Sequence, residues 1–210
     1  MKYAAIILLL LSIMMYGIFS DFPMIANIVL VACVTVVLLL WELSVLKNNF
    51  SADFTMKSHS KIFNKSNLLM AIIWSFILIP DIYKEGFNTF AFISLVMWLM
   101  IILIDVLMIF VYKKKKPITI FIDGNTLTFN NPWLQKRDLN NLNYIGIKKP
   151  WKELELGFKK KSDIRIPFKE YKIEEFRRFL DILVEKSEHD VYLTDNVLEK
   201  FRSPTLETPN

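Results

Sequence analysis

Four stretches of 15 to 20 residues without a charged side chain occupy most of the first half of this chain: residues 3–20, 22–41, 66–80 and 86–104. The last resumes after a single Asp105 and runs on to Tyr112. A helix needs about 20 apolar residues to cross a hydrocarbon core about 30 Å thick. Runs of this length without charge exclude an ordinary soluble globular domain and a disordered chain. The stretch 66–80 is short by that measure and also fits a buried or re-entrant segment.

Charge in the connections gives the direction of crossing. Lys47, Lys57, Lys61 and Lys65 lie in the connection at 46–65 between the second and third spans, opposed there by Asp53 alone. The first connection carries Asp21 and no Lys or Arg, and the third carries only Lys84. Lys113, Lys114, Lys115 and Lys116 follow the fourth run. Lysine is retained on the cytoplasmic side. Four spans, at about 3–20, 23–45, 66–83 and 87–112, place Lys2, the lysine-rich connection and the tetralysine all inside. Three spans, omitting the short one, would leave the tetralysine or the second connection outside. The expectation is therefore a multi-pass protein of the cell (inner) membrane with both termini cytoplasmic. Asp21-Phe22-Pro23 and Pro80-Asp81 supply breakers for two short outer turns. The first run resembles a signal peptide, but Ile18 stands where a cleavage site wants a small residue. It is read as an uncleaved helix.

Two carboxylates fall near or inside the spans. Asp105 lies eight residues before Lys113, roughly 12 Å of helix. Glu42, five residues before Lys47, is nearly interfacial. An intramembrane carboxylate is a candidate proton or cation site. It can equally be a group that hydrogen-bonds a neighbouring helix. Trp74 and Trp98, mid-span, read as helix-packing residues.

Past the tetralysine the pattern becomes alternating. Two β-rich runs, 118–122 and 126–129, flank Asp123-Gly124-Asn125, a strong hairpin signal. Residues 139–147 read as a turn entering a strand, and 152–158 and 164–168 alternate around the polar turn 159–163. Ile173, Phe176, Phe179, Leu180 and Leu183 then recur at helical spacing. The prediction is an α+β domain of five or six strands, an antiparallel sheet covered by a C-terminal helix, at 117–188. A four-helix membrane domain at 1–116 precedes it. A mobile tail, with at most a short helix near 197–201, fills 189–210.

Residues 117–187 resemble the bacterial pleckstrin-homology-like domains attached to membrane anchors. The resemblance is carried by the hairpin at Asp123-Gly124, by Leu139-Asn-Asn-Leu-Asn-Tyr-Ile-Gly-Ile147, by the paired strands ending in Ile166-Pro167, and by the helix 173–186. It implies a scaffold that binds proteins or lipid head groups without catalysis. The first hairpin turn holds no Lys or Arg, so phosphoinositide binding is not implied.

Other chemistry is not signalled. Cys33 is the single cysteine, and His59 and His189 are the two histidines. No metal-ligand spacing, phosphate-binding glycine loop or nucleophile set stands out. No catalytic residue, cofactor or metal is expected, and no nucleic-acid partner. The domain's charge is mixed: residues 117–210 carry 16 basic against 15 acidic side chains. Lys113, Lys114, Lys115 and Lys116 are a topology signal and a contact for anionic inner-leaflet lipids, about 1 kcal/mol per Lys at the surface. The expected function is a non-enzymatic membrane scaffold or accessory subunit whose small domain docks a protein or lipid heads. The alternatives are a small channel or carrier using Asp105, which with four spans per chain would call for homo-oligomerisation, and a membrane-embedded immunity protein against an inner-membrane toxin.

Overall fold

The computed structural model describes residues 2–20, 23–47, 51–85, 89–148, 152–187 and 190–201. The chain divides into two compact units, Met1–Ser44 with Phe63–Phe110, and Val45–Ile62 with Val111–Asn210.

The first unit is helical. Its elements are α1 (Lys2–Phe19), α2 (Met24–Leu43), α3 (Lys65–Glu85) and most of α4 (Thr89–Lys115). Unbroken Leu, Ile, Val and Met leave these segments no alternative that satisfies their backbone groups in an apolar setting. Ser12, Thr35 and Ser75 each donate to the carbonyl four residues earlier, so the hydroxyls within these runs are satisfied on their own helices. α1, α2 and α4 meet at Met14, Val31 and Ile93. Large apolar side chains such as Leu8, Ile25, Phe76 and Phe110 point outward, which is the pattern of a surface that lipid covers.

Among the described residues, three helices are long and apolar enough to cross a membrane: Met24–Lys47, Lys65–Lys84 and Phe90–Lys115. The apolar stretch Tyr3–Gly17 of α1 is shorter. The run 66–80, the least span-like in sequence, lies in a 21-residue helix because α3 continues through Pro80 to Glu85. Pro80 was expected to break the chain. It removes one backbone donor, yet the helix runs on past it, as membrane helices tolerate.

The second unit holds two four-stranded sheets. One has the order β1 (Phe54–Lys57), β2 (Ile118–Asp123), β3 (Thr126–Phe129) and β4 (Gln135–Asp138). The other has the order β7 (Lys161–Pro167), β6 (Glu153–Phe158), β5 (Leu142–Lys148) and β8 (Tyr192–Leu193). All neighbours are antiparallel except the β5–β8 pair. The β2–β3 hairpin closes over Gly124 at φ +53°, a backbone conformation glycine adopts without strain. The amphipathic α5 (Ile173–Glu185) buries Phe176, Phe179, Leu180 and Leu183 in a core shared with Ile120, Ile122, Ile145, Leu154 and Ile166. At Gly157 the ring of Tyr144 crosses so closely that an added Cβ would lie 2.0 Å from it.

Two features depart from the sequence expectation. The lysine-rich connection is not simply a loop of the membrane part. β1 pairs with β2 in the register Phe54↔Ile122 and Met56↔Ile120, and both Phe54 and Met56 enter the core. Residues 190–201 of the expected tail join the fold: after β8, α6 (Asp195–Phe201) buries Val197 and Phe201 completely. Phe201 packs against Phe168 and Phe176, and the Lys200 ammonium sits 3.6 Å from the Phe168 ring centroid. Apolar anchors at 197 and 201, one turn apart, are enough to hold so short a helix on the core. Residues 202–210, the rest of the expected mobile tail, lie outside the described residues.

Candidate functional site

Asp105 stands on α4 beside Ile104 and Met108, all three buried. Its Oδ2 accepts a hydrogen bond of 2.8 Å from the Asn67 Nδ2 of α3. Asn67 is in the first turn of that helix, where Asn64 Oδ1 accepts from the Ser66 backbone N–H at 3.0 Å and caps the helix start. The carboxylate lies about 12 Å of helix before Lys113 on its own element, yet it is level with the first turn of α3. It therefore sits near the polar end of α3. Glu42 lies in the last turn of α2 and is half-buried. Lys113, Lys114, Lys115 and Lys116 are exposed, while Tyr112 before them and Pro117 after them are buried. Lys116 ends α4 with φ +45°, its N–H donating to the Tyr112 carbonyl at 2.8 Å. This left-handed residue turns the chain sharply into β2.

Within the second unit, the segments that lead out of α2, into α3 and out of α4 converge on the start of β2. The Ser58 N–H donates to the Pro117 carbonyl at 2.9 Å. Asn130, fully buried, donates through Nδ2 to the Ile118 carbonyl at 2.8 Å and to the Val45 carbonyl at 3.2 Å. Its own N–H donates to the Thr119 carbonyl at 2.6 Å. One side chain thus ties the residue after the 44–45 step to the residue three past the end of α4.

The strap 58–62 is held along its length by the segment before α5. The His59 N–H donates to the Glu170 carbonyl at 2.7 Å, Ser60 Oγ to the Lys169 carbonyl at 3.0 Å, and the Ile62 N–H to Glu170 Oε1 at 2.9 Å. His59 Nε2 faces Glu175 Oε1 at 3.3 Å. Burial pushes the Glu170 carboxyl above the usual carboxylate range, against the Ile62 N–H and Lys61 charge that pull it down. Tyr171, also buried, shares a 2.8 Å hydrogen bond with Thr119, and burial raises its phenol well above the ordinary value. At the other end of β2, Lys186, just past α5, bonds both Asp53 and the Gly124 carbonyl, and its ammonium holds Asp53 below the usual carboxylate range.

A polar cluster occupies the surface of the second sheet. The Tyr144 hydroxyl donates to Glu155 and Asp163 at 3.3 Å each, and Arg165 Nε reaches Glu155 at 3.0 Å. Partial burial and the two carboxylates push the Tyr144 phenol up to about 12.

Sequence reasoning singled out Asp105, Glu42 and the four lysines. It did not foresee Asn67, Ser58 or Asn130. Asn67 had one signal, an amide two residues inside an apolar run. Asn130 had none, because Asn130-Asn131-Pro132 reads only as a turn. No family model, curated protein or solved structure matches this chain.

Proposed function

We propose that the chain is a multi-pass inner-membrane protein whose pleckstrin-homology-like domain is tethered at the cytoplasmic face, where it serves as a docking module of a non-enzymatic scaffold or accessory subunit. The observation that carries this reading is the pairing of β1 with β2 around the intervening helices. Lys57 pairs with Ile118, and everything between them is α3, α4 and their short connections. A sheet cannot have strands on both sides of a bilayer, so α3 and α4 cross together or not at all. Both are long and apolar enough to cross. This parity keeps the lysine-rich strap and the tetralysine on one side whether or not α1 also crosses, and four spans, with α1 as the first, put Lys2 on that side too. Lysine retention makes that side cytoplasmic.

The pleckstrin-homology-like reading is supported by two small, mostly antiparallel sheets and an amphipathic helix that fills the core. The docking role is supported by a self-contained domain. Ser58 bonded to Pro117, and Asn130 bonded to Val45 and Ile118, clamp the segments that leave and enter the helices into the domain's own fold. Anionic lipids at Lys113, Lys114, Lys115 and Lys116 would hold its tether at the membrane surface. The Asn67–Asp105 bond favours a helix-pairing role for Asp105 over a transport role, because the carboxylate already has a neutral donor. The test is gentle solubilisation of native membranes followed by affinity purification. A stoichiometric companion protein is expected, and a chain that stays alone under mild detergents and crosslinkers would remove the subunit role.

A further inference from the structure

Residues 117–210 are close to neutral in sum, with 16 basic against 15 acidic side chains, yet the fold gathers five cations on one surface of the second unit. β4 ends the first sheet and β7 ends the second, and no ladder joins them. Side chains close the seam instead. Arg137 of β4 donates through Nε to the Ser162 carbonyl of β7 at 3.2 Å, and through Nη2 to the Ser162 Oγ at 3.0 Å. Lys161 Nζ reaches back to the Lys136 carbonyl at 3.5 Å. These bonds join Lys136 and Arg137 to the turn Lys159-Lys160 and to Lys161 after it. The four lysines are exposed and Arg137 is half-buried. Among the described residues, no carboxylate forms an ion pair with any of the five; the ion pairs of this unit are His59–Glu175, Lys148–Glu155, Arg165–Glu155 and Lys186–Asp53. The two acids nearest in sequence are engaged elsewhere. Asp138 accepts from the Asn140 N–H at 3.0 Å and the Asn141 amide at 3.1 Å, and Asp163 accepts from the Tyr144 hydroxyl at 3.3 Å.

We infer that the β4–β7 seam docks an acidic segment of a protein partner in extended form, with its carboxylates against Lys136, Arg137, Lys159, Lys160 and Lys161. Charge complementarity names the partner's sign: a surface of one sign concentrates ligands of the other and steers their approach. The strand edges name its form. An open edge offers backbone groups that an extended peptide can pair with and a lipid head group cannot. Lysines along an edge repel the apolar strands that would otherwise add to it, yet admit one that carries the opposite charge. In an extended segment every second side chain lies on one face, so alternate Asp or Glu residues would all meet the cations. This inference rests on the reading of the second unit as a docking module, and it names the chemistry of what docks.

The probe is a fluorescein-labelled peptide of alternating Glu and Thr, read by anisotropy against the full chain in an uncharged detergent. The peptide should bind, and one of alternating Gln and Thr should not. Affinity should fall about tenfold between ~0.05 and ~0.5 M salt, as screening shortens the reach of surface charges. Lys159→Gln, Lys160→Gln and Lys161→Gln together should weaken binding about tenfold, with the unfolding temperature unchanged because all three side chains are exposed. Arginine at the same three positions should retain it. Glutamine at Lys113, Lys114, Lys115 and Lys116 should leave it nearly intact; an equal loss there reveals attraction to any lysine and overturns the seam. Absence of peptide binding also overturns it. If a companion protein still co-purifies with the chain, the docking reading stands and only the acidic segment falls; if none does, both fall. Vesicles of phosphatidylglycerol that bind through Lys159, Lys160 and Lys161, where the peptide does not, would make the surface a lipid contact and overturn the seam.

Discussion

Asn67 of α3 donates its side-chain amide to Asp105 of α4 across 2.8 Å, in a unit packed mainly by apolar side chains. Hydrogen bonds between membrane helices are worth about 0.6 kcal/mol on average and up to about 1.7. Asp105→Ala and Asn67→Ala should each lower the thermal unfolding temperature of the detergent-solubilised chain. The double variant should lose less than the sum, with a coupling of about 0.5–1.5 kcal/mol. Strict additivity would show that the contact contributes nothing.

Asn130→Ala should be among the more damaging polar substitutions in the chain. It leaves the Val45 and Ile118 carbonyls without their shared donor at a fully buried position. The expected loss is about 1–3 kcal/mol. Limited proteolysis should then cut near residues 45–60 sooner than in the parent chain. A stability equal to that of Lys160→Ala, an exposed control, would contradict the clamp.

Gly157→Ala should destabilise the second unit by about 1–3 kcal/mol, since the new methyl would overlap the Tyr144 ring. Tyr144→Ala in the same chain should recover part of that loss. If the double variant is simply the sum of the two, the close approach is not the cause.

Glu170 gives a pH dependence of definite sign. Burial raises its folded pKa above the ordinary carboxylate value of 4.5. The folded state therefore takes up a proton more readily than the unfolded one. Above its raised pKa the charged carboxylate lowers stability, and this cost is relieved as pH falls toward 4.5. Glu170→Gln, which keeps an oxygen for the Ile62 N–H, should match or exceed the parent at pH 7 and flatten the slope between pH 7 and 5. A variant markedly weaker than the parent at pH 7 would reverse the sign argued here. Asp53 behaves oppositely: its Lys186 partner contributes stability present above 3.8 that is lost as pH falls through the lowered value.

Much of the architecture was legible because its signals are long or strictly periodic. The apolar runs could be nothing but helices. The Asp123-Gly124 hairpin and the spacing of Phe176, Phe179, Leu180 and Leu183 each carry one period without conflict. β1 was hidden because Phe-Thr-Met-Lys shows only two alternations, and its partner lies on the far side of two helices. β4, Gln-Lys-Arg-Asp, has no apolar face and forms only because β3 offers it a ladder. Asp105 was visible as a lone charge in an apolar run. Its Asn67 partner was not visible, since that contact depends on how α3 lies against α4, which no local pattern encodes.

The separation of β1 from β2 has a consequence for the order in which the protein can be made. Lys57 leaves the ribosome some sixty residues before its partner Ile118. At about 5–20 residues per second that is a wait of roughly 3–12 seconds. During that interval Phe54 and Met56 have no β2 to pair with. In the topology proposed above, the first sheet would close only after α3 and α4 had both crossed and returned the chain to the side it left. Completion of β1 would then act as a checkpoint on membrane insertion: a chain whose third helix failed to enter together with the fourth would be left with an open strand edge for quality control to find.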